Sequence, residues 1–197
     1  MKYVMATHNP NKLLELQRIL EPLHIEVTTA DLQDVEETGE TFAENAFLKA
    51  KAACDQTGLP AVADDSGLEV DALHGAPGVY SARYAGPDAT DAQRMEKLLG
   101  ELEGIPAGQR TARFVSAICV VYPDGKRIDV EGTCEGSVAF APRGTDGFGY
   151  DPIFYVPEYG CTTASMSSET KNAISHRGKA LQLIKPVIGA YLETKGI

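Results

Sequence analysis

Positive charge is in short supply in this sequence. Lys and Arg together number 18 against 28 for Asp and Glu, a formal net charge of -10 over 197 residues. A protein that grips a nucleic-acid backbone carries the opposite sign, so general nucleic-acid binding is not expected. A small anionic ligand is still allowed, because a local basic pocket can sit in an acidic protein. No apolar run approaches about 18 residues, so no segment is expected to span a membrane. The N-terminal Met1 to Lys12 stretch has neither an apolar core nor a small-residue cleavage site, so no secretory signal is expected. Cysteine is sparse, and Cys54, Cys119, Cys134 and Cys161 include no pair in CxxC spacing. They read as reduced and mostly structural, which fits a cytoplasmic protein better than a disulfide scaffold or a four-Cys zinc site. There is no internal repeat, no long linker, and no Gly-x-x-x-x-Gly-Lys phosphate loop.

What is present has ordinary globular proportions, with 43% apolar and 23% charged residues. A chain this long can bury roughly 70% of the surface its unfolded form exposes. We expect a single domain over residues 1–197, or one domain in two lobes. Tyr3 to Ala6 reads as a short buried strand. Asn9 then suits a helix N-cap and Pro10 the first helical position, ahead of Leu13, Leu16 and Leu20 at helical spacing. Ile25 to Thr28 is a second strand, and Asp31 to Glu40 an acidic loop. Thr41 with Glu44 and Thr90 with Gln93 are capping boxes, each opening a helix. Leu59 to Ala63 is a strand that is expected to end at Asp64-Asp65-Ser66-Gly67. Phe114 to Tyr122 and Arg127 to Thr133 form a hairpin across Pro123-Asp124-Gly125. Val138 to Ala141 and Ile153 to Val156 are further strands, and Gly144 to Tyr150 is a glycine-rich loop. The last helix carries Leu181, Ile184, Ile188 and Tyr191, with a kink expected at Pro186. The hairpin breaks a strict βαβ alternation, so the fold class is α/β around a mixed β-sheet flanked by helices.

Four stretches break local rules. Lys12 lies in the first turn of a helix, where the dipole disfavours a cation. On that ground its removal is expected to leave stability unchanged or slightly raised. The polar run Thr7-His8-Asn9-Pro10-Asn11-Lys12 follows a buried strand, and a helix N-terminus beside a lysine is a phosphate site; the alternative is a solvated lysine. Asp64 and Asp65 at the end of an apolar strand are costly unless a cation or good hydrogen bonds hold them. Hard carboxylate oxygens there suit Mg²⁺, which keeps waters and bridges to phosphates; the alternative is an Asx-turn. Glu36 and Glu37 offer a third carboxylate or a solvated face, and Lys49 and Lys51 read singly as surface lysines. Gly147-Phe148-Gly149-Tyr150-Asp151-Pro152 lets a ring stack on something flat, or places Phe148 in the core. Lys171, His176 and Arg177 crowd the approach to the last helix, where a lone histidine would be packed or capping. No core needs all three, and the Arg177 fork suits carbonyl or phosphate oxygens.

Taken together, Thr7-x-Asn9-x-x-Lys12, Glu36-Glu37-Thr38-Gly39 with Thr41-Phe42-x-Glu44-Asn45-Ala46, and Ala63-Asp64-Asp65-Ser66-Gly67-Leu68 form an ordered set. Gly75-x-Pro77-Gly78-Val79-Tyr80-Ser81-Ala82-Arg83, Gly147 to Pro152 and Ser175-His176-Arg177 complete it. Six motifs in this order resemble the inosine triphosphate pyrophosphatase family, in its bacterial dITP/XTP pyrophosphatase form, over nearly the whole chain. His8 departs from the pattern, which has a small residue there. The resemblance implies an elongated mixed sheet in two lobes, with the active site in the cleft between them. It implies a cytoplasmic homodimer that hydrolyses ITP, dITP or XTP to the monophosphate and pyrophosphate with Mg²⁺. By the same resemblance Thr7, His8, Asn9, Pro10, Asn11 and Lys12 hold the triphosphate. Glu36 and Asp65 bind the metal, and Asp65 accepts the proton of the attacking water. Ser66, Phe148, Gly149, Tyr150, Asp151, Lys171, His176 and Arg177 contact the nucleotide and its base.

Other function classes compete with this one. A nucleotide sensor without turnover would not need Asp64, Asp65 and Glu36. A hydrolase working through an aspartyl-phosphate would want Asp-x-Asp after the first strand, and Thr7-His8-Asn9 has no acid. A related pyrophosphatase acting on modified pyrimidines is disfavoured by Ser175-His176-Arg177.

Overall fold

A computed structural model describes residues 1–196; Ile197 and the side chain of Asn11 lie outside the described residues. The expected phosphate contact at Asn11 therefore falls outside them too. Among the described residues, seven strands form one mixed sheet in the order β2-β1-β3-β4-β5-β6-β7. They are β1 (Lys2–Met5), β2 (Glu26–Thr28), β3 (Ala61–Val70), β4 (Thr111–Val121), β5 (Arg127–Val138), β6 (Phe154–Val156) and β7 (Cys161–Thr162). β1 runs parallel to β2 and β3, while β6 is antiparallel to both β5 and β7. The helices are α1 (Pro10–Leu20), α2 (Phe42–Thr57), α3 (Asp91–Glu101), α4 (Ser168–Ile174) and α5 (His176–Thr194). None of them is long and apolar enough to cross a membrane.

Local chemistry explains most of the boundaries. Asn9 Oδ1 accepts the Lys12 N–H at the start of α1. Both capping boxes are formed, with Thr41 and Glu44 opening α2 and Thr90 and Gln93 opening α3. Gly58 ends α2 at φ 67°, and its N–H closes on Cys54 O at 2.8 Å. Two expectations are corrected. β3 does not end at Asp64: it continues through Asp64-Asp65-Ser66-Gly67 to Val70, because cationic side chains described below pair with both carboxylates without breaking the ladder. No separate strand forms at Val138–Ala141: β5 runs on to Val138 and ends there, and residues 139–141 lie outside it. α5 is one helix with Pro186 inside it, and α4 and β7 are additional elements that the sequence did not announce.

The chain divides into two compact units. One comprises Met1–Asp65, Ser116–Gly132 and the segment from Arg177 on. Its core joins Tyr3, Met5, Leu16, Leu20, Val62, Ile118, Val120, Leu181, Ile184 and Ile188. Those α1 and α5 residues recur at three- and four-residue steps, so each helix buries one stripe. The other unit comprises Ser66–Val115 and Thr133–His176. Its core joins Leu68, Val70, Leu98, Leu102, Tyr150, Ile153, Phe154 and Met166.

Candidate active site

In the first unit, β1 delivers the chain to Thr7 and the N-terminus of α1. Thr7 Oγ1 accepts the Asn9 N–H at 3.1 Å, and Pro10 occupies the first helical position. Lys12 then reaches out of the first turn to β3, where its Nζ lies 2.7 Å from Asp64 Oδ2. Arg177, in the first turn of α5, donates from Nη1 to the same oxygen at 3.1 Å and from Nε to Glu15. Asp64 is only 4% exposed. Burial pushes its pKa up, but Lys12 and then Arg177 outweigh that and hold the carboxyl below its ordinary value. The two cations are what allow a carboxylate in the middle of a buried strand.

The neighbouring carboxylate is treated differently. Asp65 Oδ1 takes Lys49 Nζ at 3.3 Å, and Lys49 also meets Glu37 at 2.9 Å. Burial raises the Asp65 pKa; Lys49 lowers it again and Glu37 adds to the rise, with a net upward shift. Asp65 Oδ2 is buried without a hydrogen-bond partner among the described residues. Two adjacent acids thus have opposite shifts, a pattern that marks sites of acid–base chemistry. Glu37, not the exposed Glu36, is the acid brought to this cluster.

A cavity of about 180 Å³ adjoins these groups, lined among others by Thr7, His8, Asp34, Glu37 and Lys49. It has room for part of a ligand and is smaller than the usual pocket for a whole one. His8 is 90% exposed at its side chain, 3.6 Å from Asp34. Among the described residues no three His, Cys, Asp or Glu side chains converge on one point. The donor set present, Asp65 and Glu37 with one buried carboxylate oxygen unpartnered, suits a hard cation that keeps most of its waters.

The second unit holds the other expected residues. Phe148 is 78% exposed, with the Lys171 ammonium 5.2 Å from its ring centroid. Its loop is set by Asp151, which is buried. Asp151 Oδ2 accepts the Phe148 N–H at 2.9 Å and pairs with Lys171, while Oδ1 accepts Thr163 Oγ1 at 2.8 Å. A side chain at Gly147, where φ is 80°, would run into Asp151 and Lys171. The Gly149 N–H donates to Asp91 Oδ2 at 2.7 Å. Tyr150 is buried, and its hydroxyl donates to Ser81 O at 2.8 Å, so its ring builds the core under the loop. His176 stacks on Phe114 at 5.0 Å between centroids. Ser66 is half-buried on β3.

Sequence reading passed over Lys49, taken singly as a surface lysine. The available signal was its position on α2, the helix that opens directly after the acidic loop. Asn45 entered only as part of the Thr41-to-Ala46 motif, with no role, and Glu15 not at all; their partners are Gly39 and Arg177.

Residues 3–187 match the Ham1 family. Among curated proteins, a dITP/XTP pyrophosphatase of Geobacter sulfurreducens is 50% identical over 192 residues, covering 95% of this chain and 96% of its own. One of Geobacillus kaustophilus is 54% identical over 182 residues, covering 90% of this chain and 89% of its own. Among solved structures, a Ham1 protein from Coxiella burnetii superposes with TM-score 0.92 at 46% identity, over 96% of this chain and 99% of that one. The Ham1 protein of Staphylococcus aureus gives TM-score 0.90 at 42% identity, over 99% and 100%.

Proposed function

The chain belongs to the Ham1 family, and from that premise we propose that it hydrolyses dITP, XTP and ITP to the nucleoside monophosphate and pyrophosphate. It is a nucleoside-triphosphate pyrophosphatase whose substrate is a small nucleotide. The observation that carries the mechanism is the gathering of Lys12, Lys49 and Arg177 around the adjacent carboxylates Asp64 and Asp65.

In this reading the N-terminus of α1, with Thr7, Asn9 and Lys12, takes the triphosphate, since the positive end of the helix dipole and an ammonium both favour an anion there. Asp65 accepts a proton from the water that attacks the α-phosphorus. A carboxyl raised by burial is a better base than an exposed one. The bond from the α-phosphorus to its bridging oxygen breaks, and pyrophosphate leaves. Lys12 stabilises charge building on the phosphate oxygens, the effect that usually contributes most. Mg²⁺ would be held by Asp65 together with Glu37, in place of the expected Glu36, and would supply charge neutralisation at the phosphates. Phe148 supplies a stacking face for the base, and Arg177 and His176 are donors of the right sign for a purine 6-keto oxygen. None of the four cysteines forms a disulfide among the described residues, which accords with a cytoplasmic location. The homodimer belongs to the same reading, on the family likeness.

The test is product analysis. Purified protein with ITP, dITP, XTP, GTP or ATP and Mg²⁺ is expected to release pyrophosphate and monophosphate from the first three. EDTA is expected to stop turnover and added Mg²⁺ to restore it. Release of diphosphate and orthophosphate instead would contradict attack at the α-phosphorus.

A further inference from the structure

Asn45 is polar, yet it is fully buried in α2 with 0% exposure. Its Oδ1 accepts the Gly39 N–H at 2.8 Å. The approach is so close that a Cβ on Gly39 would lie 2.7 Å from that oxygen and 2.7 Å from Glu44 Cβ. Asn45 therefore pins the acidic loop two residues after Glu37. The other end of the amide, Nδ2, is buried and meets no acceptor among the described residues. Asp65 presents the complement: Oδ1 is engaged by Lys49, and Oδ2 is buried and meets no donor. Asn45 and Lys49 are four residues apart on α2 and so share one face of the helix. The Asn45 amide is close enough to Asp65 to lower its pKa, against the upward push of burial. A buried donor and a buried acceptor left open in one cluster require an explanation, and no step of the hydrolysis above uses Asn45.

We propose that Asn45 is a positioning residue, whose Nδ2 orients Asp65 through Oδ2 while its Oδ1 fixes the loop that carries Glu37. One side chain thereby sets the separation of the two carboxylates. This inference rests on the hydrolytic reading, and it predicts a defect in the chemical step and not in substrate binding. A small misplacement of a reacting group costs up to about 100-fold in rate.

The experiment measures kcat and KM for ITP, with thermal melting, on the full chain and on Asn45→Asp and Asn45→Ala. Asn45→Asp keeps the acceptor for Gly39 and replaces the Nδ2 donor with an acceptor. Asn45→Ala is neutral and smaller, so it decides the matter if the buried acid prevents folding. For each folded variant kcat is expected to fall at least ~10-fold with KM within about threefold of the parent. A folded variant with kcat within about twofold of the parent, or with KM raised and kcat kept, overturns the inference. Failure of both variants to fold makes Asn45 a structural residue and also overturns it. Absence of turnover by the parent chain removes the hydrolytic reading itself, and this inference with it.

Discussion

Lys12 reaches across 52 residues of sequence to place its ammonium 2.7 Å from Asp64 Oδ2. That contact reverses what helix electrostatics alone predicts for Lys12. The unfavourable dipole term is about 0.3–1 kcal/mol, whereas removing one partner of a buried ion pair costs about 3–5 kcal/mol. Arg177 remains on the same oxygen in a Lys12 variant and moderates the loss. We expect Lys12→Ala to be destabilised by about 2–3 kcal/mol, read as a lower urea midpoint at unchanged slope. An unchanged or higher midpoint would return Lys12 to the status of a surface lysine. Weakened turnover of ITP is expected in the same variant.

Asp65→Asn keeps the shape of the side chain and removes its charge and basicity. Turnover of ITP is expected to fall by at least ~100-fold, the lower end of general-base effects. Folding is expected to survive, because Lys49 retains Glu37 as a partner. Near-normal kcat in the folded variant would move the base to another residue.

Phe148 and Arg177 are expected to separate affinity from specificity. Stacking is worth about 1–3 kcal/mol and ignores base identity, so Phe148→Ala should weaken all purine triphosphates by similar factors. A donor facing adenine's amine leaves that amine unpaired, at roughly 1–3 kcal/mol. Arg177→Ala should therefore erode the preference for ITP over ATP. The measurement is the ratio of kcat/KM for ITP to that for ATP in each variant. A constant ratio in Arg177→Ala, with a collapsed one in Phe148→Ala, would exchange the two roles. Arg177→Ala should also melt at lower temperature, since Asp64 loses a cation.

Asp124 offers a pH test away from the site. Hydrogen bonds from Lys195, the Lys126 N–H and Tyr191 hold its carboxyl well below the usual range. A carboxyl depressed in the folded state contributes stability above its unfolded pKa of about 3.9, and that contribution is lost as pH falls toward the folded value. The Tm gap between the parent and Asp124→Asn should be full at pH 6 and narrower at pH 3. A gap that widens on acidification would contradict the assignment.

Much of this arrangement could be read along the chain. The capping boxes at Thr41 and Thr90 depend on residues three positions apart, and Asn9 with Pro10 on immediate neighbours. The hairpin at 114–133 was recognisable from its β-rich runs and the Pro-Asp-Gly turn, although the strands extend further at both ends. The exposed Phe148 between glycines also matches its sequence pattern.

The sequence by itself determined the starts of α1, α2 and α3, the central hairpin and the presence of the adjacent pair of acids, because those follow from contacts within a few residues. Only the tertiary structure decided which acid is which. Asp64 became a clamped, fully charged carboxylate because Lys12 and Arg177, 52 and 113 residues away, meet on one of its oxygens. Asp65 kept an open oxygen because burial removed water and Lys49 engages only Oδ1. The same distant contacts let β3 run on through two carboxylates that local rules would have placed in a turn. The pairing of charges removed from water depends on which elements pack together, and that information is not local to any segment of the chain.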